Sequence, residues 1–344
     1  MEQSLNYTKE IITKLMAIDS PTGFTHNIID EIEKIVTEMG YGFSRNQKGN
    51  GIISVPGNKA SGRALSAHVD TLGLMVRSIS SSGTLKFVRI GGIQLPTLDG
   101  EYCTIQTRDG RVYTGTVLST SPASHVFSDA ATLPRDEKNM EIRLDEVVRN
   151  KDDVIKLGIQ VGDFICIDPK TQITPSGFIK SRFLDDKLSV CILLGALDYL
   201  KRHNITLPYS ALFLISTYEE VGHGMAQIPP EVTEVIAVDM GCIGMDLSCT
   251  EYDVSICAKD SSGPYDYLLT SKLVDLAKKD NLGYALDIYP YYGSDVSAAL
   301  RAGNDIKGAL VGAGVAASHG MERSHMKGVE NTLKLILAYL QSEL

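Results

Sequence analysis

The sequence predicts an α/β domain interrupted by a small β-domain, and three observations carry that expectation. Apolar, β-rich runs that end in carboxylates or a histidine alternate with amphipathic helical stretches in the outer parts of the chain. Between about Gly73 and Gly162 the texture changes to short apolar segments at close intervals, separated by turn-like stretches such as Ser80-Ser81-Ser82-Gly83 and Asp109-Gly110. Helix-rich sequence then returns. Residues 1–72 and 163–344 are therefore expected to form one discontinuous domain, with 73–162 inserted as a β-barrel-like unit.

Composition bounds the function. The chain has 344 residues, 43% hydrophobic and 22% charged, a globular balance that supports a large core. A net charge of -9 excludes a basic footprint for nucleic acid. The six cysteines form no CxxC pair, and Cys191 lies within the apolar run Leu188–Leu194, as expected of buried free thiols in a reducing compartment. Residues 1–4 open an amphipathic helix and not a signal peptide, and no apolar run approaches membrane-spanning length. The expectation is a cytoplasmic protein without membrane or nucleic-acid partners.

In chain order, Ile11, Ile12, Leu15 and Met16 share one face of a first helix over 5–18, which Ser20-Pro21-Thr22-Gly23 stops. A second helix carries Ile28, Ile32, Ile35 and Met39, with His26 near its start as a surface or capping residue. Strands follow at 50–55 and 63–70. The second ends His68-Val69-Asp70, and alternation puts His68 and Asp70 on one face. Alone, such a pair is more often surface than ligand. Within the insertion, 74–76, 85–90, 102–105 and 112–117 read as strands, 133–153 as a polar excursion or short helix, and 163–167 as the closing strand. Asp185-Asp186 precedes a strongly apolar helix over 188–200, where a capping role suits either aspartate.

The run 209–217 is a buried strand that ends in Tyr218-Glu219-Glu220-Val221-Gly222. A regular strand would turn one glutamate into the core, so the glycine-rich continuation must break regularity for both to reach one cleft. A bare Glu-Glu pair is usually solvated surface. In hydrolytic metal sites, however, one carboxylate holds the ion while another takes a proton from the attacking water. The run 235–241 is another β-run, ending in Asp239 and Gly241. Gly263-Pro264 reads as a loop, 268–279 and 296–301 as helices, 306–311 as a late strand and 329–340 as the closing helix. Between the last two lies a loop with His319 and His325, two of only seven histidines in the chain. Asp185, Glu219, Glu220, Asp239, His68 and His319 thus come from strand ends or loops of one α/β domain, where open sheets gather their ligands. Together they suit two divalent ions a few ångströms apart.

These motifs, in this order over nearly the whole chain, resemble the co-catalytic metallo-aminopeptidases of metallopeptidase family 42, related to the tetrahedral (TET) and glutamyl aminopeptidases. The resemblance rests on Ser20-Pro21-Thr22-Gly23, His68-Val69-Asp70, Asp185-Asp186, Glu219-Glu220-Val221-Gly222, Val238-Asp239-Met240-Gly241, Gly293-Ser294-Asp295 and the late histidine loop. It implies a mixed-sheet α/β metallopeptidase domain whose inserted β-domain helps build a homo-oligomer, often a dodecamer. It also implies two divalent ions per subunit, zinc first, with cobalt or manganese as alternatives. Asp185 would bridge them, His68 and Asp239 would complete one site, and Glu220 with His319 the other. Glu219 would be the general base and Asp70 the acid that orients His68. The chain departs from the family pattern at Thr71, where an acid is usual, at Lys187, where Arg is common, and at Ser318-His319-Gly320. The last departure leaves His325 as an alternative ligand. The expected activity is release of N-terminal residues from short peptides. Its rivals are deacylation of small N-acyl substrates, which needs nearly the same metal set, and a non-catalytic oligomeric binding protein, against which the intact Glu219 argues.

Overall fold

A computed structural model describes residues 1–343. The chain divides into two compact units, Met1–Asp70 with the chain from Lys170 onward, and Thr71–Pro169. The first unit opens with α1 (Glu2–Met16), α2 (His26–Glu38), β1 (Gly42–Arg45), β2 (Gly51–Val55) and β3 (Gly57–His68). The second holds β4 (Gly73–Ile79), β5 (Leu85–Ile90), β6 (Tyr102–Gln106), β7 (Val112–Ser119), β8 (Met140–Leu144), α3 (Lys151–Lys156) and β9 (Phe164–Ile167). Its strands close into a barrel in the order β4-β5-β8-β7-β6-β9. Leu74, Val76, Leu85, Phe87, Ile105, Val117, Ile142 and Ile165 are buried within it, at alternate positions along their strands. The excursion expected over 133–153 contains β8, which pairs with both β5 and β7. Its Met140-Glu141-Ile142-Arg143-Leu144 alternates with period two, a short signal among polar neighbours.

The first unit resumes with β10 (Gln172–Ile173), β11 (Phe178–Ser181), α4 (Leu184–Arg202), β12 (Leu207–Ser216) and β13 (Glu234–Val238). Then come β14 (Gly241–Cys242), β15 (Val254–Asp260), β16 (Gly263–Pro264), α5 (Tyr267–Lys279) and β17 (Tyr284–Ile288). The chain closes with α6 (Asp295–Arg301), β18 (Lys307–Val315), β19 (Glu322–His325) and α7 (Met326–Leu340). Gly263-Pro264, expected in a loop, instead pairs with the end of β15. The main sheet runs β1-β2-β12-β3-β13-β18-β15, with β16 and β17 also bonded to β15. It is mixed: β12, β3, β13 and β18 are mutually parallel, whereas β2 joins β12 and β15 joins β18 antiparallel.

Alternation assigns the two faces of this sheet. Leu65 and Ala67, Phe213 and Ile215, Ile236 and Val238, and Val311 and Ala313 face one core, against α1, α2, α4, α5 and α7. Ala64, Leu214, Val235, Ala237 and Leu310 face the other, against Val296 and Ala299 of α6 and the segment with Met225, Ile228 and Val232. Helix α4 is apolar all round from Leu188 to Leu197 and correspondingly buried, which fixes it as the core helix.

Because four neighbouring strands are parallel, their carboxyl ends lie along one edge. His68 ends β3, Glu219 and Glu220 follow β12, Asp239 follows β13 and His319 follows β18. Register is tight: Ser216 pairs with His68, and Val238 with Val311. Gly312 lets the chain after β13 lie flat against β18, since a Cβ there would sit 1.4 Å from the Asp239 carbonyl oxygen.

Candidate metal centre

The strand that carries His68 stops there; Val69 N–H still donates to the Ser216 carbonyl of β12 at 3.0 Å, and Asp70 leaves the sheet. The His68 ring is buried, its Nδ1 lying 2.9 Å from the Asp70 carbonyl oxygen and 3.5 Å from the Asp70 carboxylate. Nδ1 therefore donates to the main-chain oxygen, which leaves Nε2 to face the cluster of acids. The Asp70 side chain does something else. It accepts from Thr22 Oγ1 at 2.7 Å and from the backbone N–H groups of Glu219 at 3.1 Å and Glu220 at 3.2 Å. It thus caps the single 3-10 turn over Glu219–Val221 that presents both glutamates, and Gly222 closes that turn with φ +82°.

Asp185 and Asp186 lie inside the first turn of α4 with non-helical backbone, so neither acts as an ordinary N-cap. Asp186 Oδ2 accepts from the His68 backbone N–H at 3.1 Å. Asp185 sits between two imidazoles, with Oδ1 3.2 Å from His68 Nε2 and Oδ2 3.4 Å from His319 Nε2. Glu220 Oε2 lies 3.6 Å from His319 Nε2, and Glu219 Oε2 3.7 Å from His68 Nε2. Oxygen and nitrogen atoms of His68, Asp186 and Asp239 lie within 4.8 Å of one another, and so do those of His68, Asp185 and Glu220. His325 is elsewhere: its Nε2 donates to the Ser176 carbonyl at 2.8 Å and its Nδ1 accepts from Lys327 N at 2.9 Å, as the N-cap of α7.

Residues to which the sequence reading assigned no role in the site brace this arrangement. Glu322, buried in β19, accepts from Asp185 N and His319 N, both at 3.0 Å, and so ties the two segments together. Asp295 accepts from Ser216 Oγ at 2.7 Å and Met225 N at 3.1 Å, which anchors the chain on both sides of the glutamates. Asn50 accepts from Thr217 N at 3.2 Å and donates to the Gly224 carbonyl at 3.0 Å. Lys187 donates to the Ile18 carbonyl at 2.6 Å. A carboxylate three residues after a histidine, as Glu322 is after His319, gives no sequence signal for such bracing, because its partners are main-chain N–H groups, one of them from a distant segment.

The electrostatics follow from crowding acids in a buried edge. Burial first, and then the neighbouring carboxylates, push Asp186, Glu219 and Glu220 well above the usual range. The same causes bring Asp239 up to about 7 and Glu322 up to about 8. Asp185 is the exception: burial raises it, but hydrogen bonds from His319 and His68 overcome that and hold it well below the normal carboxylate value. Burial lowers His68 in turn, yet the hydrogen bonds to Asp185 and Asp70 leave it well above an ordinary histidine. Glu220 Oε1 and Asp186 Oδ1 are buried without a hydrogen-bond partner. Imidazole nitrogens among ionisable carboxylates, with orphaned carboxylate oxygens aimed inward, fit divalent cations, which would supply the missing positive charge.

Thr22 and Asp70 act together as the support of the glutamate turn, and Thr22→Val removes one donor without changing shape. The expected cost is about 1–3 kcal/mol of stability, read from a denaturant midpoint, together with weaker metal retention. Thr22→Ser should recover both. A valine variant indistinguishable from wild type in both readouts would show that the support lies elsewhere.

Known proteins place the chain. The model of the M42 glutamyl aminopeptidase family matches residues 49–335. "Putative aminopeptidase YhfE" of Bacillus subtilis is 50% identical over 341 residues, covering 98% of this chain and 99% of its own. Among solved structures, the TET aminopeptidase of a marine sediment Thaumarchaeota archaeon superposes with a TM-score of 0.88 at 18% identity, over 98% of this chain and 96% of its own. The TET1 peptidase of Pyrococcus horikoshii does so at 0.85 and 23% identity, over 98% and 100%. The fold is thus that of the TET aminopeptidases, and the chain itself belongs to the M42 glutamyl aminopeptidase family, as a metal-dependent aminopeptidase.

Proposed function

We propose that the chain releases N-terminal residues from short peptides with two divalent ions held by His68, Asp185, Glu220, Asp239 and His319. One observation carries this reading: the two oxygens of Asp185 face two different imidazoles, at 3.2 Å and 3.4 Å. A carboxylate flanked in this way suits a bridge between two cations. His68 and Asp239 would complete one site, and Glu220 and His319 the other: donor atoms of His68 and Asp239 cluster with one of Asp186, and Glu220 lies 3.6 Å from His319. Oxygen and imidazole donors suit zinc, with cobalt or manganese as alternatives. Bound there, such ions polarise a scissile carbonyl and acidify water.

The chain's own groups supply the rest. Glu219 lines the same cavity but belongs to neither donor cluster, so its carboxylate is left to take a proton from the attacking water and return it to the departing amine. Asp70 holds His68 through its carbonyl and the glutamates through its carboxylate. Glu219→Gln is expected to keep fold and metal content while kcat falls by about 10²–10⁴-fold. Near-wild-type turnover in a fully loaded variant would assign the base elsewhere.

The carboxylate-rich cavity also suits a substrate's α-ammonium group better than an acyl methyl. The same peptide with and without an N-terminal acetyl group is the direct test, in the presence of added zinc or cobalt. Release of the first residue from the free peptide alone is expected. Deacetylation of the blocked peptide, without release from the free one, would make the deacylase reading correct.

A homo-oligomer built through the inserted barrel completes the proposal. The barrel unit contributes none of the proposed ligands, and the Pyrococcus horikoshii TET1 peptidase can assemble into a tetrahedron or a large octahedral shell. A dodecamer is the form the family suggests. Light scattering of the intact protein should give a multiple of the 37.4 kDa chain mass, and a monomer would overturn the assembly.

A further inference from the structure

Amide hydrolysis builds negative charge on the scissile carbonyl oxygen, and a cavity lined by acids is poor in groups that can meet it. Asp185, Glu219, Glu220 and Asp239 line this cavity of about 240 Å³. Once ionised, carboxylates offer only hydrogen-bond acceptors. The other lining side chains with an O–H or N–H are those of Tyr291, Tyr292, Ser294, Arg301 and His319. The Ser294 hydroxyl is committed to capping α6 and to Tyr265 Oη at 2.8 Å. Tyr291 is 96% exposed, and Arg301 is exposed at the end of α6. His319 Nε2 faces Asp185 and Glu220. That leaves Tyr292.

Tyr292 is fixed by its surroundings. Its ring is half-buried, packs against both hydrophobic cores and meets the Tyr289 ring edge-on at 5.2 Å. Its carbonyl accepts from Ser261 N at 3.1 Å, and the α6 cap follows at Ser294. The hydroxyl, by contrast, is weakly committed. It reaches the Met240 carbonyl at 3.4 Å, beyond the roughly 2.5–3.0 Å of an ordinary O–H···O bond. It also lies near enough to the Asp239 carboxylate to favour the charged form of that acid. Asp239 has a closer anchor of its own, since its Oδ1 accepts from Met240 N at 2.6 Å. Packing explains the ring but not the hydroxyl. We propose that the Tyr292 hydroxyl donates to the carbonyl oxygen of the scissile bond as that oxygen gains charge. The inference rests on the aminopeptidase reading and adds a catalytic residue to it. Water's oxygen adds to the carbonyl carbon, its proton passes to Glu219, and the C=O π electrons collect on the oxygen that Tyr292 meets. Those electrons return as the C–N bond breaks, and Glu219 passes its proton to the departing nitrogen. Tyr292 keeps its own proton throughout, so its contribution is electrostatic.

Tyr292→Phe keeps the ring and removes the donor. With leucyl-p-nitroanilide and the zinc-loaded protein, kcat should fall by about 10²–10³-fold while KM changes by less than about threefold. Calorimetry reads the donor apart from turnover. The phosphonic acid analogue of leucine presents tetrahedral anionic oxygens, and its affinity should fall by about tenfold or more in the variant. Leucinol keeps the amine and side chain but has no anionic oxygen, and should bind both forms alike within about twofold. Zinc titration followed by elemental analysis should give the same occupancy for both. Phosphonate affinity within about twofold of wild type would overturn the donor, whatever the turnover. So would weaker zinc retention with turnover restored by added zinc, which would make Tyr292 a support of Asp239. Phosphonate binding that depends on Tyr292, in a wild type that releases no N-terminal residue from any peptide, would support the donor and overturn the peptidase reading.

Discussion

The organising constraint is a concentration of buried negative charge that the protein does not neutralise with its own cations. Asp185, Asp186, Glu219, Glu220 and Asp239 converge at one sheet edge with His68 and His319 as the basic partners. Coulomb repulsion inside a poorly solvated edge makes such a cluster costly, and Asp186, Glu219 and Glu220 hold protons far more tightly than exposed carboxylates do. Divalent cations turn that cost into affinity. The structure therefore has to keep the acids close against their own repulsion.

It does so with a second group of acids that bond to main chain. Asp70 holds the N–H groups of the glutamate turn, Glu322 those of Asp185 and His319, and Asp295 that of Met225. Each brace joins segments far apart in the chain, so the site is cross-linked by hydrogen bonds to main-chain N–H groups. Behind them stands the sheet, where the parallel order β12-β3-β13-β18 brings four strand ends to one edge. A metal-binding acid and a bracing acid are the same residue type, and their partners alone distinguish them.

Sequence and structure part company in specific places. The strands β15, β17 and β19 were not expected, although β15 carries a buried Val254-Ser255-Ile256-Cys257 run. Its apolar stretch is short and bounded by polar residues, and pairing with β18 and β17 makes it a strand. For Asp70, alternation along the strand suggested that its carboxylate faces His68. The strand ends at His68; the Asp70 carbonyl takes the imidazole at 2.9 Å, and the Asp70 carboxylate both stays 3.5 Å from that imidazole and holds the glutamate turn. For Asp185-Asp186, a position before a helix suggested capping. The backbone there is non-helical and both side chains turn to the cluster or to His68.

The sequence by itself determined the α/β class, the barrel-like texture of the insertion and the candidate residues His68, Asp185, Glu219, Glu220, Asp239 and His319. These follow from periodicity and from acids or histidines placed where apolar strands end, both of which are local properties. Only the tertiary structure decided that His319 lies beside Asp185 while His325 caps α7, and that Thr22, Glu322 and Asp295 serve the site from a distance. It also decided that Tyr292 shares the cavity with the acids. The reason is physical: strand ends are brought together by sheet order, and hydrogen bonds to main-chain atoms carry no residue code. No local pattern in the chain assigns those bracing roles.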